Sequence, residues 1–269
     1  MQRILFLLTL KPIVYGLIGM ILSGISFPLA GVIIVRNGLI PMRYMLMHGV
    51  ILGGILSIAL KIPLLPVTIL LNLILVMIMV MLGRNQTVGL STSSTAMMVC
   101  TMGIASLLSH AFDVPAKDTL EILWGSPFAL TSSDLICLLV MSIALIMYVC
   151  TCFRPISMVF FDHDIALSRG VNVKLHDMMM VMITALIVSV AMKMVGALLI
   201  DALVVLPVVG ASRNAKGLKD LFVRSSVTGL VLSVSGYFLA LLWNLPVSGV
   251  LAVLAVIVYL ANACRRNRK

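Results

Sequence analysis

Val195–Pro207, VGALLIDALVVLP, sets one carboxylate, Asp201, into thirteen residues that are otherwise wholly apolar. The surrounding chain is 62% hydrophobic, so the run reads as part of a membrane span. A charged Asp at mid-depth in a bilayer costs ~2.5–3.5 kcal/mol on translocon-insertion scales, and an intramembrane carboxylate is by default a candidate for a substrate or ion pathway. Asp201 therefore points at once to a membrane fold and to something that passes through it.

Composition extends this reading to the whole chain. Charged residues make up 10% of the 269 and the mean hydropathy is +1.21, whereas a soluble domain carries roughly 25% charged residues. No soluble fold of this length hides so much apolar surface. The net charge is +10, and the basic residues lie mainly between apolar runs and at the end, in 154–174, in 213–224 and at Arg265, Arg266, Arg268 and Lys269. Short basic loops mark the cytoplasmic side under the positive-inside rule. No aromatic-interleaved basic face is present, which argues against nucleic acid as a partner. The five cysteines are odd in number, and four sit inside apolar runs, so they imply packing and no disulfide framework.

Runs of ~17–25 apolar residues cross a ~30 Å hydrocarbon core as helices. Candidates stand at 13–35, 44–60, 63–83, 90–109, 134–153, 176–193, 195–211, 223–243 and 246–263. The expected fold is all-α: a polytopic integral membrane protein of eight or nine transmembrane helices, forming one transmembrane domain over 1–269. The count turns on 176–211, where only Lys193 and Met194 separate two short runs, fewer residues than an ordinary connection uses. The opening MQRILFLLTLK lacks a small-residue cleavage site and reads as a retained amphipathic lead-in. Loop 110–133, with Asp113, Asp118 and Glu121 against Lys117, reads as external, opposite the basic loops and the basic cytoplasmic tail 264–269. Nine spans then put the N terminus outside, against a weak opposing pull from Arg3 and Lys11.

Few polar residues stand within the spans. His48, in MLMHGVILGG, has two readings: a metal ligand or proton relay, or a helix-end histidine satisfied by a carbonyl. One histidine is not a metal site, yet a transport site does not need four protein ligands, because the ion must also leave. The twenty methionines crowd one span at Met178, Met179, Met180, Met182 and Met192. Thioethers select Cu(I), but successive helical positions point in every direction, so these read as packing. Phe160–Gly170, FFDHDIALSRG, is a polar helical piece in a basic loop, with Asp162 to cap its start and Gly170 to end it. Ile165 and Ala166 are then available for docking, while the adjacent His163 and Asp164 do not face one point.

These residues carry a resemblance. From DIALSRGV through ITALIVSVAMKMVGALLIDALVVLP to Ser212, and over nearly its whole length, the chain resembles the ABC-3 family of metal ABC transporter permeases, the membrane subunits of zinc, manganese or iron importers. The matches at Lys193, Gly196 and Pro207, and in ILWGSPFALTSSDL at 122–135, are not produced by hydrophobicity alone. The resemblance implies a type II ABC importer permease fold in which 159–172 is the cytoplasmic coupling helix, with Asp162, Asp164, Ala166 and Gly170 serving the contact with an ATPase. It implies as partners a second permease chain, identical or a paralogue, two ABC ATPase subunits and an extracytoplasmic metal-binding protein, in the inner membrane of a bacterial cell. The chain would be no enzyme and would bind no cofactor. ATP and Mg would belong to the ATPase subunits, in keeping with the lack of a G-x-x-x-x-G-K-[ST] loop, and the divalent metal ion would be cargo moved by alternating access.

One departure bears on the ion site. In the family an Asp usually precedes the second-span His by four residues, one helical turn; here that position is Tyr44, and a hydroxyl is a poorer ligand for Zn²⁺ or Mn²⁺. The position of Asp201 is usually small or hydroxylated in the family. The expectation joining the two is that Asp201 supplies, from another span, the carboxylate that Tyr44 does not, meeting His48 near mid-membrane. The alternative pairs Asp201 with Lys193, eight residues earlier and roughly two turns away. Two other functions compete with this one: a permease for a metal chelate such as a siderophore, haem or cobalamin, which chain length disfavours, and a proton-coupled secondary transporter. The latter predicts repeats between the two halves, and none is detectable.

Overall fold

The computed structural model describes residues 10–83, 89–115, 117 and 125–266; the lead-in 1–9, the stretch 118–124 of the expected external loop and the last three tail residues lie outside them. The described elements are all helices: α1 Lys11–Arg36, α2 Ile40–Leu60, α3 Leu64–Gly83, α4 Gly89–Ala111, a 3₁₀ turn Pro127–Ala129, α5 Ser132–Thr151, α6 Phe153–Phe161, α7 His163–Ser168, α8 Val173–Val195, α9 Ala197–Val204, α10 Leu206–Ser212, α11 Leu218–Trp243 and α12 Val247–Arg266. Among the described residues seven helices are long and apolar enough to cross a membrane, and two shorter apolar segments, Leu199–Ser212 and Val247–Ala261, complete the series. Helices α1, α2, α4, α5, α8 and α11 start earlier than hydropathy alone suggests, whereas α3, α9 and α12 start one or two residues later. Helix α11 begins five residues before the apolar run, and Arg224 and Asp220, one turn apart, pair at 2.7 Å on the surface of that added turn.

The chain divides into two compact units. One comprises Met1–Val32, Trp124–Ile146 and Met194–Lys269, and its helices meet through small residues. A Cβ added to Gly229 of α11 would lie 2.6 Å from the Gly24 carbonyl oxygen of α1, so the two backbones touch as small residues permit. Tyr237 donates its hydroxyl to the Ile13 carbonyl at 2.7 Å, and Ser142 of α5 donates to Ser26 of α1 at 3.1 Å. Thr131 and Asp134 close a capping box at the start of α5: the Asp134 carboxylate accepts from the Thr131 N–H at 3.2 Å, and the Thr131 hydroxyl oxygen accepts from the Asp134 N–H at 3.3 Å.

The sequence places the doubtful connection at Lys193–Met194, but the structure breaks the chain at Gly196, whose φ of 82° and ψ of 161° suit glycine. A second interruption follows at Val205, because Pro207 in the first turn of α10 has no N–H to return to the Leu203 carbonyl. This crossing is therefore built from an eight-residue and a seven-residue helix. Interrupted helix at membrane depth persists only where it is buried in protein or lines a cavity. Helix α1 buries it closely: a Cβ on Gly31 would fall 1.8 Å from the Val204 carbonyl oxygen, backbone that cannot step aside. Gly31→Ala is accordingly expected to cost ~1–3 kcal/mol or more, seen as a lowered unfolding temperature in detergent; a wild-type melt would contradict this packing.

The second unit comprises Ile33–Leu123 and Met147–Lys193. Gly49 and Gly53, spaced G-x-x-x-G on α2, admit α3: added Cβ atoms would lie 1.9 Å from Asn72 Oδ1 and 2.8 Å from Thr68 Cγ2. Asn72 is 1% exposed and its amide donates to Ser189 Oγ of α8 at 2.7 Å and to the Leu46 carbonyl of α2 at 3.3 Å. One side chain thus ties three helices together. The foot of α8 is fastened to the end of α5 by Tyr148, whose hydroxyl donates to the His176 carbonyl at 3.3 Å.

Candidate functional site

His48 is the ninth residue of the 21-residue α2, so the helix places it ~12 Å from one end and ~18 Å from the other. Its Nδ1 lies 2.8 Å from the Tyr44 carbonyl oxygen. A carbonyl only accepts, so Nδ1 is the donor, and the tautomer with its proton on Nδ1 has its lone pair on Nε2. That is the arrangement used when an imidazole serves as a metal ligand, with the other nitrogen held by a carbonyl. The two readings of His48 are thus not exclusive: the carbonyl satisfies one nitrogen and frees the other. Tyr44 contributes through its backbone. Its ring lies under the Arg43 guanidinium, 4.5 Å from the ring centroid, and the side chain is 39% exposed.

A cavity of about 740 Å³ opens beside His48, walled by Ile51 and Ile55 of α2 and by Met102, Ala105, Ser106, Ser109 and His110 of α4, with Asp113 and Val114 beyond the helix end. The lining residues of α2 stand three and four apart, one face of a helix. His110 and Asp113 are functional candidates that reading the sequence for span-interior polar residues missed, because both lie at the edge of an apolar run. Among the described residues no three His, Cys, Asp or Glu side chains gather to hold one metal ion. The methionines do not converge either: Met180 and Met192 are buried while Met178 and Met179 are exposed.

Asp201 sits on α9, between the interruptions at Gly196 and Val205. It belongs to the first unit, and Tyr44 and His48 belong to the second. The side chain of Lys193, its alternative partner, lies outside the described residues.

The polar loop folds as its sequence dictates. Asp162 Oδ1 accepts from the N–H groups of Asp164 at 2.8 Å and Ile165 at 3.0 Å, capping α7. At the other end Gly170 takes φ 77°, and the N–H groups of Val171 and Gly170 return to the carbonyls of Ala166 and Leu167, both at 3.0 Å. This is a Schellman motif, which favours glycine at that position. The outward face differs from expectation. Ala166 is fully buried, so it lets α7 lie close to its own chain and offers nothing to a partner, whereas Ile165 is 44%, Leu167 57% and Phe161 82% exposed. Phe161 and Leu167 were legible as apolar residues in an otherwise polar loop. Asp164 is exposed in the first turn of α7, where its charge complements the helix dipole. His163 turns to α8, its Nε2 3.3 Å from Asp177 Oδ2.

An interrupted crossing that carries a carboxylate, together with a capped helix offering apolar side chains from a basic loop, belongs to a protein that moves a solute across the membrane. The comparisons give the class a family. The model of the ABC 3 transport family matches residues 10–266, and the chain belongs to that family. It is 27% identical over 247 residues to the manganese import system permease protein ScaB of Streptococcus pneumoniae, covering 92% of this chain and 88% of that one. To the high-affinity zinc uptake system membrane protein ZnuB of Haemophilus influenzae it is 24% identical over 259 residues, covering 94% and 96%. Its fold superposes on PsaBC from Streptococcus pneumoniae, solved in complex with a Fab, with a TM-score of 0.82 at 23% identity, over 97% of this chain and 94% of that chain.

Proposed function

We propose that this chain is the membrane-spanning permease subunit of an ABC importer that carries a divalent transition-metal ion, manganese or zinc, by alternating access. The observation that carries the reading is His48: an imidazole midway along a membrane helix, its Nδ1 held by its own backbone and its ring on a cavity wall. Family membership supports the transport role, and the names of the relatives support the ion. In this reading α7 docks on an ATPase subunit through Ile165 and Leu167, beside Phe161 at the end of α6, with Asp162 and Gly170 fixing the ends of α7. The chain binds no nucleotide; ATP and Mg act on the two ATPase subunits. A second permease chain completes the pathway, and an extracytoplasmic binding protein delivers the ion at the inner membrane of a bacterial cell.

Asp201 is the pathway carboxylate in this account. Its position on a short helix between two interruptions supports the role, since transport sites are commonly built from discontinuous helices. Asp201→Asn keeps the shape and removes the charge, and it is expected to lower metal uptake at least tenfold while the protein inserts normally. Uptake of radiolabelled manganese and zinc by cells expressing the complete transporter tests the reading. Normal uptake by the Asn variant would remove Asp201 from the pathway, and the absence of ion uptake by the wild type would overturn the proposed function.

A further inference from the structure

Deepening the importer reading, on which it rests, we propose that His110 and Asp113 form an outer capture site for a divalent cation, at the mouth of the cavity whose inner end holds His48. Helices α2 and α4 supply the two long walls. On α2 the wall runs from His48 to Ile55, seven residues and so ~10 Å along the axis. On α4 it runs from Met102 to His110 and ends at Asp113 in the turn that follows. His48 and the pair at the helix end thus mark opposite ends of one cavity, in keeping with the finding that no three ligating side chains gather at one point among the described residues.

The turn after α4 is shaped to bring Asp113 back to the mouth. Asp113 takes φ 49°, a left-handed conformation that Asp tolerates better than most residues. The Val114 N–H returns to the Ser109 carbonyl at 3.0 Å, and the Asp113 N–H to the His110 carbonyl at 3.4 Å. The chain therefore folds over the last turn of α4, keeping His110 and Asp113, three residues apart, on the cavity. Both are exposed, so water completes the coordination of any ion they hold. An imidazole and a carboxylate suit the borderline divalent ions of the first transition row, and two protein ligands hold such an ion loosely enough to release it.

Electrostatics gives the pair its use. Tyr44 leaves the turn beside His48 without an acid. Asp113 is the one carboxylate among the described lining residues. A negative charge at the mouth of a cavity raises the local concentration of cations, and passage through successive weak sites lets an ion move on.

The test is a titration of the full chain in lipid nanodiscs with Mn²⁺ alone, followed by the loss of the free-ion electron paramagnetic resonance signal, beside uptake kinetics of the complete transporter. Asp113→Asn and His110→Gln are expected each to remove one class of bound Mn²⁺ that His48→Gln retains, and to raise KM for uptake about tenfold with little effect on maximal rate. Because Asn also tolerates the left-handed turn, D113N keeps the fold. Binding and KM equal to wild type in both variants would overturn the outer site. Wild-type uptake by H48Q would instead remove His48 from the pathway, the absence of ion uptake by the wild type would overturn the importer reading, and in either case the titration would still decide the outer site.

Discussion

Replacing both Ile165 and Leu167 by glutamate is expected to abolish uptake while leaving the chain inserted and folded. Both side chains are exposed on α7, so the change removes no packing from the chain itself. The ends of the helix do not depend on them: Asp162 caps one end through backbone N–H groups, and Gly170 with Val171 closes the other. What the substitution removes is an apolar knob that, in the proposed complex, enters a cleft on the ATPase. Losing a central docking residue costs ~2 kcal/mol or more, a ~30-fold loss of affinity, and two buried glutamates cost more because each carries an unpaired charge. The purified variant should no longer retain its ATPase subunits on size-exclusion chromatography. Retention of the ATPase with wild-type uptake would mean that α7 is an ordinary solvated loop helix.

His48→Gln should reduce uptake about a hundredfold with the ATPase still bound. Outer-shell partners of metal ligands are each worth ~10–100-fold in affinity, and removing the ligand itself should cost at least as much. The imidazole is set up for this role by its own helix, since the Tyr44 carbonyl fixes the proton on Nδ1. Tyr44→Phe preserves that carbonyl, so His48 should keep its orientation and uptake should fall far less than in H48Q. Equal losses in the two variants would show that the phenol, and not the backbone, is the contribution of Tyr44.

How much of this was legible in the sequence depends on how local each feature is. The spans were legible because a bilayer demands continuous apolar runs. The caps of α7 were legible because Asp162 and Gly170 act on N–H and C=O groups within five residues of themselves. The face of α7 was not: a helix turns ~100° per residue, so naming Ala166 beside Ile165 as a docking residue chose a position that points inward. Gly196 was noticed as a match to the family, but hydropathy sees only charge and placed the break at Lys193. The cavity was invisible because it depends on α2 lying beside α4, a pairing between residues ~60 positions apart that apolar periodicity does not specify. That is why Asp113 read as loop charge and His110 drew no notice.

The central claim is that this chain forms a pathway for a bare divalent ion. Its most direct test is accumulation of radiolabelled manganese and zinc in cells lacking their own importers, expressing this chain with its cognate ATPase and binding protein. Wild-type cells are predicted to accumulate one of the two ions, and cells carrying His48→Gln to accumulate neither. Failure to accumulate either ion, with uptake of an intact metal chelate that is unaffected by His48→Gln, would contradict it.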